Sequence, residues 1–91
     1  MALIRTDLQV IGGQSGNSPT LWSYKTADTQ GAVNTAGYFN GVSELMEVGD
    51  VIFGYCDTGG TPALVIFYVL SNASGVVDVN DGTVLSATDT D

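Results

Sequence analysis

Val51-Ile52-Phe53-Gly54-Tyr55-Cys56-Asp57 and Ala63-Leu64-Val65-Ile66-Phe67-Tyr68-Val69-Leu70 flank Thr58-Gly59-Gly60-Thr61-Pro62 near the middle of the chain. Two apolar runs rich in β-branched and aromatic residues, joined through a Gly-Gly turn, predict a β-hairpin. The second run is apolar at every position from Ala63 to Leu70, so neither of its faces reads as water-facing. Such a strand sits centrally in a sandwich or barrel, or has one face covered by another subunit.

Around this hairpin the rest of the chain supplies shorter elements. Residues 2–11 read as a first strand, and the polar, glycine-rich stretch 12–19 as a loop, so residues 1–19 form an extended arm and loop. The loop has no Lys and no following helix, which removes the phosphate-cradle reading. Residues 20–25 alternate around Leu21, Trp22 and Tyr24 and predict a short strand. Asp28 is the expected N-cap of a short helix running to Thr35, with Ala32 and Val33 inward and Gly37 closing it. Asn40-Gly41 turns the chain, and Ser43 is expected to cap a further short turn through Glu47. Glu47-Val48-Gly49-Asp50 reads as the tight turn that delivers the chain into the strand at Val51. After a loop at 71–75, Val76–Val79 and Thr83–Ala87 predict a second hairpin about Asn80-Asp81-Gly82. The expected fold is therefore mainly β, one domain over residues 1–91. It is a small sandwich or barrel of about five to seven strands with one or two short helices.

Composition narrows the function classes. The chain is 91 residues long, 44% hydrophobic and only 13% charged, which leaves more apolar surface than a core of this size hides and points to an oligomer. Its net charge is −8, and all of that sits in residues 44–91, where Glu44, Glu47, Asp50, Asp57, Asp78, Asp81, Asp89 and Asp91 face no Lys or Arg. In residues 1–43, Asp7 and Asp28 balance Arg5 and Lys25. An acidic half repels phosphate backbones, so no nucleic-acid partner is expected, and the acidic half reads as a solubilising outer face.

No reaction centre is legible. Histidine is absent, which removes Ser-His-Asp sets, thiol–imidazole pairs and His-containing metal spacings. Cys56 is the one cysteine and reads as a buried packing thiol inside a strand. Asp78-x-Asn80-Asp81-Gly82 falls one residue short of a calcium-loop spacing and lacks its distal Glu, so it reads as a turn. Asn72-Ala73-Ser74 fits a glycosylation sequon, but no secretory leader is read at Met1–Val10, where Arg5 and Asp7 interrupt the apolar positions. The expectation is a non-enzymatic protein made in the cytoplasm, without cofactor or metal and with no membrane-spanning run.

Met1-Ala2-Leu3-Ile4-Arg5-Thr6-Asp7, Leu21-Trp22-Ser23-Tyr24-Lys25-Thr26-Ala27-Asp28, the segment from Val33 to Ile52 and the segment from Ser71 to Val79 resemble a family of short proteins encoded by tailed bacteriophages. That resemblance implies a virion component whose partner is the major capsid protein or another virion protein. It does not choose between a capsid decoration (cement) protein, a head fibre and a tail accessory. The absence of reaction machinery and the split between an apolar N-terminal part and an acidic remainder favour the cement role. By analogy with decoration proteins at capsid three-fold positions, a homotrimer is the expected assembly. The resemblance transfers no catalytic residue. The expected docking surface is then the weakly charged N-terminal part: Leu3, Ile4, Arg5, Leu21, Trp22, Tyr24, Tyr38 and Phe39. The competing reading, a receptor- or glycan-binding module of a head or tail fibre, calls for aromatics in polar loops. Loops 12–19 and 71–75 contain none.

Overall fold

The computed structural model describes Leu3, residues 7–11 and residues 20–85. The protein is mainly β: among the described residues six strands form one mixed sheet, with very little helix. The strands are β1 (Leu8–Ile11), β2 (Leu21–Lys25), β3 (Val51–Cys56), β4 (Ala63–Ala73), β5 (Val76–Val79) and β6 (Thr83–Val84), and a short α-helix is α1 (Gln30–Val33). The expected central hairpin is β3–β4, paired antiparallel from Val51↔Tyr68 to Cys56↔Ala63. On its far side β3 pairs parallel with β2, which in turn carries β1 antiparallel at the edge. A parallel neighbour needs a crossover, and residues 26–50 provide it.

Alternation sorts the strand residues into two layers. Trp22 and Tyr24, Ile52 and Cys56, Val65, Phe67 and Val69, and Val77 and Val79 are buried on one face. The crossover covers that face with Val33, Phe39, Val42 and Met46, all buried in the same cluster. Among the described residues the second layer is thus a connection with a single turn of helix, not a second sheet, and the sheet is open.

Three local expectations are corrected. The helix N-cap is Thr29, whose Oγ1 accepts from the Ala32 amide at 3.3 Å, rather than Asp28. Asp28 is instead buried, and its carboxylate accepts from the Tyr38 hydroxyl. Gly37 (φ +90) does not close α1 but sends its N–H to the Val77 carbonyl at 2.9 Å. Asn40-Gly41 opens a 3-10 turn (Asn40–Val42) that Ser43 ends rather than begins.

The predicted second hairpin does not exist as such. β5 and β6 do not pair with each other. Both run antiparallel along the β4 edge that faces away from β3, with residues 80–82 bulging out between them. The true hairpin turn is Ser74-Gly75, where φ is 55° and 81°. Two successive positive values make the tight turn whose twist matches the strands it joins. β4 therefore continues through the expected 71–75 loop to Ala73. The Asn72 amide is occupied there, donating to the Ser43 and Met46 carbonyls at 2.8 and 2.6 Å, so its sequon pattern marks a structural clamp.

That bulge has a steric role. A Cβ built on Gly82 (φ +94) would lie 2.6 Å from Val65 Cγ1 and 2.7 Å from Phe67 Cε1. A Cβ on Gly54 of β3 would lie 3.0 Å from Phe67 Cε2. Phe67 is fully buried, and its ring occupies the clearing that these two glycines leave on either side.

Candidate docking face

Three groups of side chains stand out in the fold: a buried tyrosine–aspartate cluster, a buried aspartate at the strand entry, and the outer face of the sheet.

In the first, the Tyr38 hydroxyl donates to Asp28 Oδ2 at 2.6 Å and lies 2.9 Å from the Tyr24 hydroxyl. Since the single Tyr38 proton is committed to Asp28, Tyr24 is the donor in the second contact. The rings of Tyr24, Tyr38 and Phe39 meet edge to face, with centroids 5.1–6.2 Å apart. Burial, reinforced by the bonds to Asp28 and Tyr24, pushes the Tyr38 hydroxyl far above the ordinary phenol range. Burial next to Asp28 and Asp57 likewise pushes the Cys56 thiol up. A phenol that holds its proton and a thiol that resists ionisation tie the crossover to the sheet; they offer neither a base nor a nucleophile.

These shifts carry a pH signature. Both groups bind their proton more tightly folded than unfolded. Stability is undiminished below the unfolded-chain values, about 8.5 for the thiol and about 10 for the phenol. It falls as pH climbs above them, because the unfolded chain then releases protons that the native chain retains. Urea midpoints should therefore decline from pH 8 towards pH 10, and Cys56→Ala should flatten the first part of that decline. An unchanged slope in Cys56→Ala would show that the thiol ionises equally in both states.

Asp50 is the second group. Buried where the crossover enters β3, it accepts from the Thr20 amide through Oδ1 (3.0 Å). Its Oδ2 accepts from the Trp22 indole (3.3 Å) and the Glu47 amide (3.0 Å). This acid does not belong to a solubilising face: it fastens the start of β2 to the turn that launches β3. Among the described residues no three Asp, Glu, Cys or His side chains gather as metal ligands.

The third group is the side of the sheet opposite the crossover. Strand register places Leu21, Val51 and Tyr68 in one row, Ser23, Phe53 and Ile66 in the next, and Lys25, Tyr55 and Leu64 in a third. Leu21, Tyr55, Leu64 and Tyr68 are between 37% and 45% exposed, and Leu70 continues the patch at 45%. At the Lys25 end a depression of about 420 Å³ opens between Asp7, Gln9, Ser23, Tyr55 and Leu64. Large apolar side chains in adjoining rows across three strands make a contiguous patch, the kind of surface that marks an interaction site.

The sequence-expected docking residues divide across the molecule. Leu21 lies on the open face. Trp22, Tyr24 and Phe39 are buried in the chain's own core, because their strand positions and the crossover turn them inward, so they present no docking surface. Tyr38 is half-buried in the Asp28 cluster, and Leu3 packs on the core beside Gly41. Ile4 and Arg5 lie outside the described residues. The other residues of the open face were not among those expected: Leu64, Ile66 and Tyr68 had their signal in the unbroken apolarity of Ala63–Leu70, and Phe53 and Tyr55 belong to the run before it. No protein-family model, no curated protein and no solved structure matches this chain.

Proposed function

We propose that this chain is a structural subunit of a bacteriophage particle. In this reading it is a capsid decoration protein that works as a homo-oligomer and reinforces the head shell, with a head-shell protein as partner and the virion as its location. The observation that carries this reading is the open apolar sheet face, which suits coverage by another protein surface and offers no chemistry. Two features of the sequence support it: the resemblance to short tailed-phage proteins, and the charge split, which leaves an electrically balanced N-terminal half for docking. Arg5 supplies a cation within that half for an acidic groove on the shell.

Co-sedimentation of the purified chain with shells lacking it tests the proposal. The wild type should pellet with the shells and raise their resistance to heat. Arg5→Glu should weaken pelleting, whereas neutralising Asp89 and Asp91 should change it little, since isolated surface charges contribute within about 0.5 kcal/mol. Failure of the wild type to bind shells at low and physiological salt alike would reject the decoration role. Loss of binding on neutralising Asp89 and Asp91 would reverse the docking assignment.

A further inference from the structure

Loops 12–19 and 71–75 carry no aromatic, yet strand order sets aromatics beside polar groups on the open face. On β1, Leu8 is buried opposite Tyr24, so Gln9, opposite Ser23, points outward. The parallel pairing of β2 with β3 continues that row to Phe53 and sets Lys25 beside Tyr55 in the next. The depression of about 420 Å³ at this corner is thus lined on one side by Asp7, Gln9, Ser23 and Lys25, and on the other by Phe53, Tyr55 and Leu64. All of these but Asp7 stand on strands, so the backbone that carries them is fixed before any ligand arrives. The Leu21–Val51–Tyr68 row lies at the other end of the face.

We propose that this depression binds one residue of a neutral carbohydrate, stacked on the Tyr55 ring. The site is for binding and not for reaction, and it does not rest on the decoration role. Size permits it, since the volume lies in the range of small-ligand sites. Composition selects it. A pyranose has an apolar C–H face and a rim of hydroxyls, each both a donor and an acceptor. Tyr55 and Leu64, both partly exposed, supply apolar surface for the C–H face. Around them the Asp7 carboxylate only accepts, the Lys25 ammonium only donates, and Gln9 and Ser23 do both. A rim of hydroxyls can meet all four, whereas a hydrocarbon ligand would strip them of water and give nothing back. Charge then excludes ionic ligands. Asp7 and Lys25 cancel at the site, so an anion finds no unbalanced cation there and meets a chain of net charge −8. A cation finds no unbalanced acid in the depression.

The test is a titration of the ¹⁵N-labelled full chain, followed by amide chemical shifts. The probes are the methyl glycosides of glucose, galactose, mannose and N-acetylglucosamine, with glucuronate and glucosamine as charged comparisons. At least one neutral glycoside should bind with a dissociation constant of about 1–10 mM, the range open to a ligand of about a dozen heavy atoms. The shifts should centre on Gln9, Ser23, Lys25, Tyr55 and Leu64. Tyr55→Ala should weaken binding by about ten-fold or more, while Tyr55→Phe, which keeps the ring, should change it by less than about two-fold. Gln9→Ala should weaken it by about three- to ten-fold. Tyr68→Ala, on the same face but outside the depression, should leave it unchanged. Binding of none of the neutral glycosides, shifts centred elsewhere, or binding indifferent to both Tyr55→Ala and Gln9→Ala overturns the proposal. Glucuronate or glucosamine binding about ten-fold more tightly than every neutral glycoside overturns the neutral class. Because no shell enters this titration, its outcome and that of the co-sedimentation are read independently.

Discussion

Asp50→Ala should lower stability by about 3–4 kcal/mol, enough to remove a large part of what holds a domain of this size folded. The substitution strands three N–H donors together: Thr20 and Glu47 on the backbone and the indole of Trp22. Each buried donor left without a partner costs about 1–3 kcal/mol, and the half-exposed Glu47 amide recovers part of its share from water. Asn does not rescue the site. One carboxamide offers a single oxygen, so its NH₂ must face at least one of the same donors. Trp22 is the only tryptophan and reports directly: its emission should shift to the red in Asp50→Ala at urea concentrations where the wild type is still folded. If the two urea midpoints coincide, the carboxylate is not what joins β2 to the β3 entry.

Phe67→Ala should cost about 3–5 kcal/mol, the range for emptying a fully buried aromatic site. The sharper expectation lies in its coupling to the glycines beside it. Gly82→Ala alone should destabilise, because the new Cβ meets Val65 and Phe67 at under 3 Å and φ +94 is strained for alanine. Gly54→Ala alone should also destabilise, by overpacking against the same ring. In the Phe67→Ala background Gly82→Ala still meets Val65 Cγ1 at 2.6 Å, whereas the close contact at Gly54 is removed, so Gly54→Ala should become neutral or stabilising by filling the vacancy. The double-mutant cycle for Gly54 and Phe67 should therefore give an interaction energy of about 1–2 kcal/mol. Additive effects would mean that the clearing is not shaped by the ring.

The strands and the short helix were legible because apolar alternation and turn chemistry are local. Val51–Cys56 and the run from Ala63 could be read without knowing what they pack against. The failures share one cause: they concern partners distant in sequence. Asp28 looks like a cap to anyone reading only the residues after it, but its partner is Tyr38. Asn80-Asp81-Gly82 looks like a hairpin turn until β4 is seen to run long enough to pair with both flanking strands. The aromatics of residues 21–39 were assigned to docking because sequence gives no sign of which side of β2 the crossover will cover. The open face was half legible. Two-sided apolarity of Ala63–Leu70 required a cover on each side, and the described residues provide only one.

The side-chain amides of Asn40, Gln30 and Asn34, which hold the Val77 N–H and the Asp81 carbonyl on the edge beyond β4, bear on how the chain reaches this state. The β3–β4–β5 meander is built from neighbours in sequence and can form early, whereas Gln30 and Asn34 reach Asp81 across 51 and 47 residues. Those clamps arrive only when the parallel β2–β3 register has closed the long loop between them, and pairings of that separation are slow. During that interval the edge that is sealed in the finished molecule stands open beside a hydrophobic meander. Chains meeting then can join by strand exchange, a route that the completed subunit has shut. High-temperature or high-concentration synthesis would widen that window, making aggregation a hazard of the nascent chain rather than of the native one.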